Sequence, residues 1–421
     1  MANEVSTLNG LFKEKYADKE RDLVPDHVKL YNAIKYSASD RIGDSYNEPV
    51  VLTLESGFTY GGVEGSLFDL EDAKEFKMRQ AKVKANELVL RSAISIGALN
   101  RSANSDQAIS RAQDLMVGNM LKSMYHRLEV QMFYGQSGLA SVDSVSVVSG
   151  NTVLEIPAAE WAAGIWNGTN GAAINVLRDG AAILDTGIPK KYIVAAYSLK
   201  DKTVTLTGDV SADFSGTEHV LYFNTAIDAA AAKNEFLGIH GISQETTSLF
   251  GVANASEPLF QGSIVDVGTS VTPVALSQAK IEEGISAMVE KGLMEEEVSV
   301  YVNPKQWDDL LTEQDAKRSI DSSYSPAKHQ SGAREIEFFG QNGTIKIKAS
   351  TFVKQGYAYI ICEKDLKRIG STEVTFNRPD GEKVYKLLEN KHGIEMRCMT
   401  DQALFTSRPA SICQLRYIKA E

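Results

Sequence analysis

Residues 106–135 read DQAISRAQDLMVGNMLKSMYHRLEVQMFYG. Ile109, Met116, Met120, Met124, Leu128 and Met132 recur at spacings of four and seven, with Val117, Leu121 and Tyr125 beside them. That is the apolar stripe of an amphipathic helix. Asp106, preceded by Asn104 and Ser105, is the expected cap, and Gly135 the expected stop. About 29 residues at 1.5 Å each predict a rod about 43 Å long, well above the usual helix length. Gly118 sits inside it at a small cost. The methionine stripe reads as core packing, and His126 as a structural residue.

Upstream, the period changes. Val50, Leu52, Leu54, Phe58 and Tyr60 alternate with Val51, Thr53, Glu55 and Thr59, a strand pattern. Gly57, Gly61, Gly62 and Gly65 loosen the backbone, and an acidic tip runs from Glu64 to Asp72. The chain returns through the basic, strand-like stretch from Lys77 to Ala85 into Leu88–Ile96. Residues 48–105 therefore read as a long two-stranded arm. A lone hairpin is marginal in water, so this one needs something to lie on. Residues 1–47 mix charges of both signs with few apolar side chains, as expected of an arm that is ordered by a partner surface.

Downstream of the helix, residues 136–228 are β-rich. Strands are expected at Val142–Val148, Thr152–Ile156, Tyr192–Tyr197, Thr203–Thr207 and His219–Phe223, with helical composition over Ala158–Leu177 that Asn167, Gly168 and Gly171 interrupt, and a turn at Leu199–Lys202. Residues 229–275 read as loop and turn. An amphipathic helix follows over Ala275–Lys291, then a strand at Val298–Val302. Asn303-Pro304 starts a short helix through Trp307, Leu310 and Leu311, because Asn caps well and Pro suits the first helical position. A surface loop is expected at 319–333. Glu335–Phe339 and Thr344–Lys348 flank Gly340-Gln-Asn-Gly343, a hairpin signal, and Tyr357–Cys362 reads as a buried strand. The C-terminal part is strand-rich, with a turn at Asn377–Gly381.

Composition narrows the function classes. The 421 residues carry a net charge of −11, with 43% hydrophobic and 24% charged residues, and the pI is about 5.2. This is an ordinary globular balance. The acidic sum argues against a dedicated nucleic-acid binder, which needs Lys and Arg to displace counterions. The N-terminal residues lack a signal-peptide pattern, and no apolar run has membrane-spanning length, so no membrane partner is expected. Cys362, Cys398 and Cys413 form no CxxC pair and read as buried thiols. Nucleophile-elbow, Walker, dinucleotide and zinc-protease signatures are absent from the sequence. No catalytic, cofactor-binding or metal residue is assigned, and no cofactor is expected.

The order of elements resembles the Hong Kong 97-type fold of tailed-bacteriophage major capsid proteins. So do three local strings: the helix ending Val130–Gly135, the strand-to-helix step Val300–Trp307, and the hairpin around Ile336–Phe339 and Thr344–Ile347. The resemblance implies an α+β chain. Its layout would be an N-terminal arm (1–47), an extended β-loop (48–105), a spine helix of the peripheral domain (106–135), a β-rich insertion subdomain (136–228), an axial domain (229–370) and a return to the peripheral domain (371–421). It implies a non-enzymatic subunit that self-assembles as hexamers and pentamers into an icosahedral head. That head would enclose double-stranded DNA without sequence-specific contact and form in the host cytoplasm. A separate scaffolding protein, a portal and decoration proteins are the implied partners. No long N-terminal scaffolding segment is seen in the sequence.

Individual motifs leave choices open. Glu64, Asp69, Glu71 and Asp72 match no calcium loop and read as a solvated patch or one that meets basic residues of a neighbour. Lys74, Lys77, Arg79, Lys82 and Lys84 lack interleaved aromatics and read best as contacts to another subunit. Some members of the resembled family join subunits by a Lys–Asn bond, for which Lys74, Lys77 and Asn377 qualify by region only. Trp161, Trp166 and Trp307 read as core or interface anchors. An encapsulin-like compartment shell is the alternative function. A carbohydrate-active enzyme and a tail-tube protein are the more distant ones.

Overall fold

The methionine-striped run is a helix over Ala112–Tyr134. Met120, Met124, Leu128 and Met132 are buried along it, and Met116 is half-buried. The computed structural model describes residues 28–37, 43–62, 67–98, 112–244, 247–253, 257–293, 296–320, 336–340, 343–376 and 386–420. The Asp106 cap, Ile109, Glu64, Asn377 with its turn, most of the N-terminal arm and most of the 319–333 loop lie outside these residues. The helix stop at Gly135 has a different cause from the one expected. The left-handed residue is Gln136, at φ 65°. Gly135 is glycine because a Cβ there would stand 2.2 Å from the Phe236 carbonyl oxygen.

Two compact units are present. One takes Leu88–Tyr125 and Val374–Thr400; the other takes His27–Glu87, His126–Glu373 and Asp401–Glu421. In the first, the strand Asn86–Ser95 alternates half-buried and exposed residues and pairs with the strand that begins at Gly393. The exposed Arg91 and Arg397 both donate to the buried Glu395 carboxylate, each through Nε at 2.6 Å.

Among the described residues, the larger unit includes three pieces of sheet, besides a short ladder of Leu184–Asp185 against Ile188–Pro189. The arm begins as a two-stranded ladder, Tyr46–Val51 against Met78–Val83, with Tyr46 opposite Val83 and Val51 opposite Met78. The strand expected to run on to Tyr60 stops at Val51, and residues 52–60 continue without a ladder. A second sheet has eight strands, in the order Ala140–Ser141, His219–Phe223, Ala173–Arg178, Tyr192–Ser198, Thr203–Leu206, Asn151–Glu155, Ser144–Val148, with Ala181–Ala182 paired to Ala173–Arg178. The helix expected over Ala158–Leu177 is not formed. That stretch makes a 3-10 turn at Ala158–Glu160, one helical turn at Ala163–Trp166, and the strand Ala173–Arg178. The Asn167-Gly168 and Gly171 breaks outweigh its alanine content. Trp161 and Trp166 stack with ring centroids 6.2 Å apart in its core.

The third sheet has six strands, in the order Ser263–Asp266, Ile412–Arg416, Tyr357–Ile361, Val298–Val302, Gly343–Ala349, Ile336–Gly340. The helix Gln278–Glu290 lays Ile281, Ile285 and Met288 on it. Gly284 lets it approach: a Cβ there would meet Ile360 Cδ1 at 2.6 Å. Asn303 caps the next helix by accepting the Lys305 N–H at 3.1 Å. That helix runs Pro304–Ile320, longer than the short one expected. The loop expected over 229–275 also contains the helix Ile239–Ser243 and the edge strand Ser263–Asp266. Ile412–Arg416 lies inside this third sheet, parallel to Ser263–Asp266 and antiparallel to Tyr357–Ile361. All three cysteines are buried and free.

Candidate assembly surface

Among the described residues, the arm is anchored most firmly at its base. Ala81 and Val83 are buried there, the Lys82 N–H donates to the Phe250 carbonyl at 2.7 Å, and Tyr46 and Phe250 each pack against the Phe405 ring. Lys367 adds an ion pair to Glu48 at 3.3 Å. Beyond Val51 the two limbs stay joined by scattered bonds. Leu52 N–H donates to the Lys77 carbonyl at 2.9 Å, and the hydroxyls of Thr53 and Thr59 accept the N–H groups of Lys77 and Glu71, each at 2.8 Å.

Beyond the buried Leu52, the large apolar side chains described on these limbs are mostly exposed. Leu54, Tyr60 and Leu70 are 86, 92 and 80% exposed, and Phe58, Leu67, Phe68 and Phe76 are exposed beside them. Scattered single apolar residues are normal at a surface, but a contiguous set on a thin projection marks an interaction site.

Charges of both signs are exposed along the arm, with Glu55 and Glu75 on the limbs. Asp69, Glu71 and Asp72 are exposed towards the tip, and Lys74, Lys77, Arg79, Lys82 and Lys84 are exposed towards the base. Lys77 reaches Glu257 at 4.0 Å and Lys84 reaches Asp44 at 3.1 Å. Such exposed pairs contribute little stability, so most of this charge faces outward. Lys74 is exposed on the limb.

Other singled-out residues lie elsewhere. His126 meets the Phe352 ring edge-on at 5.0 Å, and Trp307 packs partly buried against the six-stranded sheet. Metal-type ligand atoms come together at one place among the described residues, Glu296, Cys362 and Asp365, within 4.8 Å. A protein cation already sits there: Arg408 Nη2 lies 2.6 Å from Glu296 and 2.7 Å from Asp365. Burial, then Glu296, push the Cys362 thiol up to about 12. It therefore stays protonated and donates to Glu296 at 3.1 Å.

Sequence reasoning missed the buried ionisable groups. Lys354 lies in the interior 3.7 Å from Glu160, with its ammonium over the Tyr134 ring. His240 shares a hydrogen bond with the Tyr359 hydroxyl at 2.8 Å. Glu129 is fully buried on the long helix and accepts the N–H groups of Leu30 and Tyr31. Their partners are distant in sequence, so no local pattern announces them.

Comparison with known structures places the fold. The capsid of a native GTA particle matches at 9% identity and a TM-score of 0.52, with 100% of both chains covered. The cyanophage A-1(L) capsid matches at 8% identity and 0.56, with 99% of each covered. A chain of Gordonia phage Cozz matches at 10% identity and 0.50, covering 100% of this chain and 96% of that one. No family model matches the sequence, and no curated protein does. The class is set by the backbone: the chain has the mixed α/β fold of phage capsid proteins.

Proposed function

We propose that this chain is the major capsid protein of a tailed bacteriophage, which self-assembles into the icosahedral head around double-stranded DNA. The reading rests on the full-length likeness to capsid chains and, above all, on the arm whose apolar side chains project away from any core of its own. In the Hong Kong 97-type layout, 48–105 is the extended loop, 106–135 the spine, 136–228 an insertion, and 229–370 with 371–421 the axial and returning peripheral parts. Hexamers and pentamers form the shell, with a scaffolding protein, a portal and decoration proteins as partners during assembly in the host cytoplasm.

The physics of assembly follows from the arm. Burying a large apolar side chain such as Leu54, Phe58 or Leu70 on a neighbour contributes roughly 1.5–3 kcal/mol each. Ordering the limb costs roughly 1–2 kcal/mol per residue. One arm contact is thus modest, and repetition around a closed symmetric shell makes the sum large. The charge of −11 suits a wall that does not adhere to its packaged DNA. No helix among the described residues is long and apolar enough to cross a membrane.

Deleting residues 58–75 and imaging the product by electron microscopy tests the proposal. The full chain, co-expressed with its scaffolding partner, is expected to give closed shells, and the deletion variant only small oligomers. Normal closed shells from the variant would remove the arm from the mechanism.

A further inference from the structure

The segment 28–37 enters the larger unit with little structure of its own. It contains a five-residue helix, Lys29–Ala33, and a single β-bridge from Tyr36 to Arg368. A helix that short is not stable alone. Two charged side chains meet it. At its start, the Glu129 carboxylate accepts the Leu30 N–H at 2.9 Å and the Tyr31 N–H at 2.7 Å. At its end, Arg368 donates from Nε to the Ile34 carbonyl at 2.7 Å, and its guanidinium lies 3.8 Å from the centroid of the Tyr31 ring. Both charged residues are buried, Glu129 at 0% exposure and Arg368 at 7%. Lys29 Nζ adds a bond to the Ala349 carbonyl at 2.7 Å, and the Tyr36 hydroxyl one to the Gly370 carbonyl at 2.8 Å.

We infer that residues 28–37 form a detachable strap, clasped at one end by Glu129 and at the other by Arg368. The reasoning is one of balance. Docking buries Leu30, Tyr31 and Ile34, which favours closure. It also removes a carboxylate and a guanidinium from water, and strap backbone groups replace part of that lost hydration. On opening, water solvates the Glu129 and Arg368 side chains again, so the net cost of release is much smaller than the sum of the broken bonds. Such a segment opens as a unit below the global unfolding free energy. The inference does not depend on the shell reading, because it concerns contacts within one chain.

Hydrogen exchange on the unassembled full-length chain tests it. The amides of Leu30, Tyr31, Ile34 and Ser37 are expected to share one opening, faster than the core strand Val298–Val302. E129A and R368K should each speed exchange along the whole strap by about 10- to 100-fold, the effect of losing a hydrogen bond to a charged group, with Val298–Val302 unchanged. Acceleration in E129A confined to Leu30 and Tyr31 would overturn the strap and leave only a local cap. Should the variants not fold, the wild type decides alone: strap amides that exchange only with global unfolding would contradict the inference.

Discussion

The Lys354 ammonium lies 3.7 Å from the Glu160 carboxylate, with Lys354 almost wholly inside the protein. Burial lowers the pKa of Lys354, and Glu160 opposes that shift. Glu160 also accepts the Ser141 N–H at 2.7 Å. Removing one partner leaves the other charge buried and uncompensated. E160Q is therefore expected to cost about 3–5 kcal/mol, and the double variant E160Q/K354M to recover most of it. Urea midpoints of the two variants and the wild type measure this.

Two glycines of the same helical region predict opposite signs. Gly118 is exposed within the helix, and a Cβ there would meet nothing within 4 Å. G118A should stabilise by about 0.5–1 kcal/mol, the difference in helix propensity. At Gly135 the same change drives a Cβ against the Phe236 carbonyl. G135A should destabilise by at least about 2 kcal/mol, as overpacking against backbone does. Thermal unfolding of both variants gives the comparison.

Acidification acts on two buried groups with opposing slopes. Burial, then the Lys354 charge, depress His240 to about 3 from 6.5. Between those values the unfolded chain binds a proton that the folded chain does not, so stability falls as pH drops. Burial pushes Glu129 the other way, from 4.5 up to about 7. There the folded chain holds the proton more tightly, so stability falls as pH rises through about 7. Between pH 4.5 and 6.5 the two slopes cancel. E129Q removes one of them. Its stability relative to wild type should fall on acidification through that window by about 1.4 kcal/mol per pH unit. Denaturant titrations at pH 5 and pH 6.5 check the slope; a pH-independent difference would contradict it.

Much of this architecture is legible locally. The methionine stripe specifies Ala112–Tyr134, and alternation locates the strands Tyr192–Ser198, His219–Phe223 and Val298–Val302 within a residue or so. Other features depend on longer range or on unread turn chemistry. Ser149-Gly150, Asp179-Gly180 and Thr186-Gly187 all have positive φ, and each closes a two-residue hairpin. Those dipeptides signal hairpins, and Asp179-Gly180 in particular marks Ala173–Arg178 as a strand and not a helix. Nothing in the periodicity of Ile412–Arg416 says that it inserts between Ser263–Asp266 and Tyr357–Ile361, because strand order is set by the whole core. The arm was readable as a two-stranded projection, but where its ladder ends was not: the alternation continues to Tyr60 while the pairing stops at Val51.

The arm gives the most direct test of the account. Backbone amides of residues 52–62 and 67–77 should exchange quickly in the unassembled chain, where few of them are bonded, and become protected when shells form. Hydrogen exchange followed by mass spectrometry on both states reads this segment by segment. Protection of the arm that rises at least tenfold on assembly is the predicted result, the effect of each amide gaining a hydrogen bond in a buried contact. Equal exchange in the two states, or a chain that stays monomeric at high concentration with the arm already protected, would contradict it.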